Sequence, residues 1–179
     1  MERDFNYIQE LLTDFFSEKQ IQNGLRLIKE NGISGWEIWL QVEFARFLSA
    51  HYSEPEWWRE EALEYDRRQE KGKLFLKPDF LIRKKGWRTD SFVALEIKQH
   101  PDAGSCINNM MRDMVKVSKM RKSELDMRTY WALGLFEAKE PESIKEMVFN
   151  KADEYNVLVS KTYHLIQQVP KTPYSYLLF

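Results

Sequence analysis

Residues 77–99 read KPDFLIRKKGWRTDSFVALEIKQ, in which a basic Lys-Lys-Gly turn separates two apolar runs. We predict strands at 74–83 and 91–99 on the two sides of this turn. In the second run, apolar residues at every other position alternate with a set that includes Glu96 and Lys98, and this period of two is typical of a strand with two different faces. The segment therefore predicts a pair of strands in which Glu96 and Lys98 share one face.

Helical periodicity is found on both sides of these strands. Large apolar residues recur at helical spacing, and the elements predicted around the two strands are, in chain order, two short helices within 4–30, a third helix at 35–51, a strand at 60–68, a turn at 71–73, a helix at 105–124, a strand at 129–136, a helix at 141–155 and a strand at 163–169. The third helix carries large apolar residues around much of its circumference, so we predict that it is largely buried. The element order predicts an α/β fold with a central mixed β-sheet flanked by helices.

Length and composition indicate one domain. The chain has 179 residues, of which 43% are hydrophobic, and this is enough for a sizeable core. We predict a single domain over 1–179, with an N-terminal helical extension at 1–34, a core at 35–136 and a C-terminal helix and strand at 137–179. The one cysteine, Cys106, excludes an internal disulfide framework and favours a reducing compartment. With no signal-peptide pattern and no apolar run of about 20 residues, we predict a cytoplasmic protein.

Charge is distributed unevenly along the chain, although the net charge is only −1. Residues 1–70 carry 8 Lys and Arg against 15 Asp and Glu, whereas residues 71–122 carry 13 against 5. A run of like charge often marks no more than a solvated surface. Because the basic segment contains the two strands quoted above, its charge favours a polyanionic partner such as nucleic acid.

Three ionisable side chains of these strands form a candidate metal-dependent centre. Asp79 follows Pro78 at the start of the first strand, and Glu96 lies on the next one, so a carboxylate pair is predicted across a distance of about 5 Å. Such a pair, with the carbonyl oxygen of Ile97 as a further ligand, suits a hard cation such as Mg²⁺ or Mn²⁺. The ammonium of Lys98 could orient an attacking water or stabilise negative charge on a phosphate. The pattern indicates phosphodiester hydrolysis, with Asp79, Glu96 and Lys98 as catalytic residues.

With this motif the chain resembles the PD-(D/E)XK nuclease superfamily, which includes restriction enzymes, recombination nucleases and phage exonucleases. Pro78-Asp79 and Glu96-Ile97-Lys98 stand in the motif positions in the right order, and the elements predicted over 35–136 follow the superfamily's order of helix, three strands, helix and strand. The resemblance implies a restriction-endonuclease-like αβββαβ core and Mg²⁺-dependent hydrolysis of DNA or, less often, RNA. It also implies that Glu43, on the third helix, is an additional metal ligand.

Further residues are candidates for contacts with nucleic acid. Asp113-Met114-Val115-Lys116 resembles an Asp-x-x-Lys pattern of several branches of the superfamily, and Gln99 directly after the motif lysine is a recurrent neighbour in some of them. Basic side chains of the segment 71–122 could follow a phosphate backbone, and His100 could touch a phosphate. The predicted nucleic-acid-binding residues are therefore Lys77, Lys84, Lys85, Gln99, His100, Lys116 and Lys119.

Several of these assignments have structural alternatives. Glu43 could instead pair with Arg46 on the surface of its helix, and Asp113 could form an ordinary pair with Lys116 three residues later. For the whole chain, the alternatives to a nuclease are a nuclease fold that has lost its activity and binds nucleic acid or a protein partner, and a regulatory domain that contacts another protein through its acidic N-terminal helices. A homodimer is a further expectation, because a small nuclease needs two sites to cut both strands.

Overall fold

The computed structural model describes residues 1–64, 75–88, 91–119 and 127–179. In these ranges the helices are α1 (Glu2–Ser17), α2 (Lys19–Glu30), α3 (Glu37–Ala50), α4 (Ala103–Val117) and α5 (Pro141–Tyr155). The strands are β1 (Glu56–Arg59), β2 (Leu63–Glu64), β3 (Phe75–Leu76), β4 (Phe80–Arg83), β5 (Phe92–Gln99), β6 (Met127–Glu137), β7 (Leu165–Gln168) and β8 (Tyr174–Leu178). The predicted α/β class and the predicted central mixed sheet are confirmed.

A six-stranded sheet with the order β1-β4-β5-β6-β8-β7 forms the centre of the molecule. The pair β5–β6 is parallel, and the other neighbouring pairs are antiparallel. Two neighbouring parallel strands require a crossover connection, and α4 lies in the connection between β5 and β6. β2 and β3 pair with each other in a separate two-stranded sheet.

Helices cover both faces of the sheet. Because side chains alternate along β5, successive residues of this strand face opposite helix layers. Val93, Leu95 and Ile97 belong to the core formed with α1, α2 and α3. The opposite face packs against α4 and α5 through residues of β6 and β8, such as Ala132 and Leu177. Glu96 and Lys98 therefore lie on the α4 side of β5, as the two-residue period predicts.

The third helix is less buried than its composition predicts. Leu40, Phe44 and Leu48 are almost fully buried, but Ile38 is 61% exposed and Val42 is 52% exposed. Positions 38 and 42 are four residues apart and so lie one above the other on the outer side of the helix. The prediction of a largely buried helix was wrong because α3 packs against the rest of the protein along one side.

Some element boundaries also differ from the prediction. We predicted one strand at 60–68. The structure instead has β1, which ends at Arg59 and pairs with β4, and the two-residue strand β2 within the predicted range. Residues 65–68 lie outside the described part of the chain. β8 was not predicted, and it inserts between β6 and β7. The helix predicted at 105–124 is observed as α4, which ends at Val117, and residues 120–124 lie outside the described part of the chain. The turn predicted at 71–73 also lies outside the described part.

Gly134 of β6 allows α4 to lie close to the sheet. A Cβ atom at this position would lie 2.4 Å from Sδ of Met110 and 3.1 Å from Sγ of Cys106, both on α4. Such separations are far below van der Waals contact, so a larger residue would require the Met110 and Cys106 side chains to move. The missing side chain therefore leaves room for these two residues between α4 and the strand.

Helices long and apolar enough to cross a membrane are not found in the described ranges of the chain.

Candidate active site

The antiparallel pairing of β4 with β5 brings Asp79 to Glu96. Phe80 pairs with Leu95, so the residue before β4 falls opposite Glu96. The backbone N–H of Asp79 donates to Oε2 of Glu96 at 3.3 Å, and Oδ2 of Asp79 accepts the backbone N–H of Ile97 at 2.7 Å. The carboxylate pair predicted from the sequence is therefore present and is held by backbone hydrogen bonds from both strands.

The ammonium group of Lys98 lies at the middle of a group of carboxylates. Its Nζ is 2.8 Å from Oε1 of Glu96, 3.2 Å from Oδ2 of Asp113 and 3.8 Å from Oε1 of Glu37. It also donates to the carbonyl oxygen of Ile97 at 3.2 Å. The side chains of Glu96, Lys98 and Asp113 are 12%, 18% and 8% exposed, so these charges interact largely shielded from water.

Helix α3 contributes Glu37 and Gln41, which are four residues apart and so share a face. Nε2 of Gln41 donates to Oδ1 of Asp79 at 2.8 Å, and Oε1 of Gln41 accepts from Arg59 of β1 at 2.6 Å. Oε2 of Glu37 accepts the backbone N–H of Gln99 at 3.3 Å. The start of α3 thus orients Asp79 and places one more carboxylate beside the lysine.

The structure does not bring Glu43 to this centre. Its Oε2 accepts hydrogen bonds from Nε2 of Gln20 at 3.0 Å and from Nε of Arg46 at 2.9 Å. At about 100° per residue, position 43 lies roughly 200° around the helix from Gln41, so it faces α2 instead of Asp79. The alternative pairing of Glu43 with Arg46 is the one observed, and Glu37 is the acidic residue that α3 supplies to the centre.

Burial raises the pKa of two carboxyl groups of the centre, those of Asp79 and Glu96. Burial, followed by repulsion from Glu96, raises the pKa of Asp79 to about 7. Burial also raises the pKa of Glu96, although the nearby Lys98 opposes this shift. Burial alone would lower the pKa of Lys98, but attraction to Glu96, Asp113 and Glu37 outweighs it and raises that pKa. The lysine is therefore charged at neutral pH, while burial disfavours the ionised forms of Asp79 and Glu96.

Comparisons with protein-family profiles, with curated proteins and with solved structures found no match. The geometry of this centre is therefore the basis for assigning a function.

The donor atoms of the centre are those that a hard divalent cation requires. Asp79 and Glu96 offer carboxylate oxygens, and Ile97 offers its carbonyl oxygen, which are the ligand types that Mg²⁺ prefers. In the described parts of the chain, no three Asp, Glu, His or Cys side chains are already arranged as a metal site. Lys98 contacts both Glu96 and the Ile97 carbonyl, and it supplies the positive charge between them. The donor atoms fit Mg²⁺ or Mn²⁺, and in this structure the ammonium of Lys98 balances the negative charge of the carboxylates.

Some of the predicted nucleic-acid-binding residues lie at this centre and others do not. Lys116 contacts Asp113, Gln99 and His100 directly follow Lys98, and Lys77 is exposed two residues before Asp79. Lys119 lies in the turn after α4, where its backbone N–H donates to the carbonyl oxygen of Lys116. These residues therefore lie next to the carboxylate centre or at the C-terminal end of α4.

Lys84 and Lys85 lie at the other end of β4. Lys84 is five positions after Asp79 along an extended segment, which corresponds to about 16 Å. Nζ of Lys84 lies 4.9 Å from the ring centroid of Tyr7, and Lys85 forms an ion pair with Glu54. The structure therefore separates this part of the basic segment from the carboxylate centre.

Sequence reasoning missed three residues of the centre, namely Glu37, Gln41 and Tyr130. The hydroxyl of Tyr130, on β6, donates to Oε2 of Glu96 at 3.3 Å. Glu37 and Gln41 could have been recognised, because they share a side of α3 with the buried Leu40 and Phe44. Tyr130 carried no comparable signal, since its place beside Glu96 depends on the register of the parallel pair β5–β6.

Proposed function

We propose that this protein is a metal-dependent nuclease of the PD-(D/E)XK type that hydrolyses phosphodiester bonds of nucleic acid, DNA rather than RNA. The observation that carries the proposal is the convergence of Asp79, Glu96 and Lys98 on two paired strands, with a hydrogen bond linking each strand to the carboxylate on the other. Structural ion pairs also bring such residues together. Here the carboxylates outnumber the lysine they share, and this excess favours a site that receives a cation.

The order of elements gives further support. Omitting the small β2–β3 sheet, the chain runs α3, β1, β4, β5, α4 and β6, with the parallel step between the last two strands. This is the αβββαβ order that the resemblance implies for a restriction-endonuclease-like core. Asp79 directly precedes the second strand of that core, and Glu96 and Lys98 lie on the third strand, on its α4 side.

The residues of the centre have distinct roles in the proposed reaction. Asp79, Glu96 and the Ile97 carbonyl would hold Mg²⁺ or Mn²⁺, which supplies charge neutralisation and a more acidic bound water when present. Gln41 fixes the orientation of Asp79 through Oδ1. The ammonium of Lys98 stabilises the negative charge that develops on the phosphate oxygens during attack by water. Glu37 and Asp113 keep that ammonium charged and in position.

The test is a cleavage assay on supercoiled plasmid, linear duplex DNA, single-stranded DNA and RNA, in Mg²⁺, Mn²⁺ or EDTA. We expect metal-dependent cleavage by the wild type and loss of at least about 100-fold in rate for Lys98→Ala. Lys145→Ala, which removes a lysine 44% exposed on α5, is the matched control and should cut at the wild-type rate. Absence of cleavage of every substrate by folded wild-type protein would refute the proposal.

A second candidate is a nuclease fold that binds nucleic acid or a protein partner without cutting. The observation in its favour is that Lys98 contacts the carboxylates and the Ile97 carbonyl that would otherwise bind the cation. A non-cutting module of this kind should gain no thermal stability from Mg²⁺, whereas a metal-binding centre should gain stability that Asp79→Ala abolishes. Binding of nucleic acid that survives Asp79→Ala without cleavage would favour this second candidate.

A further inference from the structure

Arg59, the last residue of the edge strand β1, lies directly beside the carboxylate centre. Its partner across β1 and β4 is Phe80, the residue that follows Asp79 in the chain. The guanidinium group lies over the Phe80 ring, 5.6 Å from the ring centroid, and 29% of the arginine side chain is exposed. An attractive contact between a cation and an aromatic ring restricts where the guanidinium group can lie. The edge strand therefore presents N–H donors next to Asp79.

Two hydrogen bonds connect this guanidinium group to Asp79 through Gln41. Nη2 of Arg59 donates to Oε1 of Gln41 at 2.6 Å, and Nε2 of Gln41 donates to Oδ1 of Asp79 at 2.8 Å. Gln41 is only 3% exposed, so water has little access to its amide group. Hydrogen bonds to charged groups are stronger than neutral ones, and more so away from water. The Gln41 amide therefore bridges the guanidinium group of β1 and the carboxylate of Asp79.

The chemistry of the two outer groups decides which way the Gln41 amide points. A guanidinium group has only donors, whereas an ionised carboxylate has only acceptors. An amide has one end of each kind, so it satisfies both neighbours only when its oxygen faces Arg59 and its NH₂ group faces Asp79. Removal of Arg59 would leave the amide oxygen buried without this donor, and that cost favours rotation of Gln41 away from Asp79.

Both oxygens of the Asp79 carboxylate are held in this way. Oδ1 accepts from Gln41, and Oδ2 accepts the backbone N–H of Ile97 at 2.7 Å. Each carboxylate oxygen has two lone pairs, so one hydrogen bond to each oxygen orients the group and still leaves acceptor capacity for a cation. Hydrogen-bonding partners of a metal ligand orient it and contribute to metal affinity.

We propose that Arg59 is a positioning residue of this centre, which acts through Gln41 to hold the Asp79 carboxylate in the orientation that binds the metal ion. The guanidinium group itself contacts neither the metal nor the substrate in this role. The inference rests on the proposed function for the metal ion, but the orientation of the Gln41 amide can be measured in metal-free protein.

The first measurement is the affinity for Mn²⁺ without substrate, by calorimetric titration of variants shown to be folded. We expect Arg59→Met to raise the dissociation constant about tenfold or more, as loss of a hydrogen-bonding partner of a metal ligand does. Gln41→Leu, which leaves β1 unchanged, should cause a similar loss. Because Arg59 acts through Gln41, adding Arg59→Met to Gln41→Leu should change the dissociation constant by less than about twofold.

Arg83→Met is the matched control. Arg83 lies three positions after Phe80 on β4, where it forms an ion pair with Glu56, and its guanidinium group lies 5.7 Å from the ring centroid of Phe92. Like Arg59, it has a buried Nε atom without an acceptor in the described part of the chain. The control thus removes a comparable arginine from the same pair of strands, and it should bind Mn²⁺ as the wild type does.

The second measurement is NMR of the Gln41 side-chain amide in EDTA, assigned by its absence in Gln41→Leu. We expect its hydrogen exchange with water to be slow in the wild type and in Arg83→Met, and about tenfold faster or more in Arg59→Met.

Unchanged Mn²⁺ affinity in Arg59→Met, an equal loss in Arg83→Met, or a full further loss in the double variant would overturn the inference and leave the nuclease. Unchanged amide exchange in Arg59→Met would also overturn it. If the wild type binds no Mn²⁺ while the exchange of the Gln41 amide depends on Arg59, the proposed nuclease is refuted and the positioning role of Arg59 remains.

Discussion

Replacing Lys98 with Met tests how strongly the carboxylate centre depends on its shared cation. Met has similar length and no charge, so the substitution keeps most of the side-chain volume and removes the ammonium. Nζ of Lys98 is 2.8 Å from Glu96, 3.2 Å from Asp113 and 3.8 Å from Glu37. Without the ammonium, these carboxylates repel one another in a largely buried position.

The expected loss follows from these distances. With an effective dielectric constant of about 20, each of the three ion pairs contributes roughly 4–6 kcal/mol of attraction before desolvation is counted. Desolvation of the buried ions offsets most of this sum, and removal of one partner from a buried pair costs about 3–5 kcal/mol in practice. We therefore expect Lys98→Met to lower the free energy of unfolding by about 4 kcal/mol at pH 8. At pH 5 the loss should be smaller, because protonation of Glu96, whose pKa is raised by burial, relieves part of the repulsion.

Urea unfolding followed by tryptophan fluorescence, in EDTA at pH 8 and at pH 5, measures both values. Lys145→Met is the control, because its ion pair with Glu142 at 3.7 Å is exposed and should contribute less than about 1 kcal/mol. Addition of Mg²⁺ should restore part of the lost stability if the carboxylates accept the ion. A loss below about 1 kcal/mol at pH 8, equal to that of the control and independent of pH, would refute the reasoning.

Two further predictions concern single residues of the centre. Because burial raises the pKa of Asp79 to about 7, its proton stabilises the folded state below about pH 4 and this contribution is lost as the pH rises towards 7. The free energy of unfolding of Asp79→Asn, relative to that of the wild type, should therefore increase between pH 4 and pH 8 by at most about 4 kcal/mol. Urea unfolding at several pH values measures this difference, and a difference that does not change with pH would contradict the reasoning. Glu37→Gln should lower the cleavage rate by about tenfold or more, because Glu37 faces Lys98, whereas Glu43→Gln should change it by less than about twofold. Initial rates on one substrate decide between these two acidic residues of α3, and equal losses would contradict the placement of the helix.

The sequence predicted β5 from its two-residue period and β6 from its apolar run, but it missed β1 and β8. β5 alternates over most of its length, and its predicted range of 91–99 nearly matches the observed strand. β8 is buried at every position, so it has no alternation to detect, and it is only five residues long. β1 is only four residues long, and so short a strand gives little pattern to detect.

The site was predicted best where local geometry decides the contact. Glu96 and Lys98 are two residues apart on one strand, and this spacing alone places them on one face. The choice between Glu37 and Glu43 depended on the rotation of α3 about its axis. Apolar residues around most of α3 obscured that rotation, since the exposed Ile38 and Val42 could not be distinguished from core residues by composition. Asp113 reaches Lys98 through the packing of α4 on the sheet, which a linear pattern does not contain.

Gly134 offers a way to tune the centre from a distance. It lies beneath Met110 and Cys106, whereas the carboxylate of Asp113 is on the next turn of the same helix. A side chain added at Gly134 has to displace the Met110 side chain, and this repacking beneath α4 offers a route to the 3.2 Å contact between Asp113 and Lys98. A graded series of substitutions at this one position would show how far the packing of α4 controls the environment of the lysine, while every charged residue of the centre stays in the sequence.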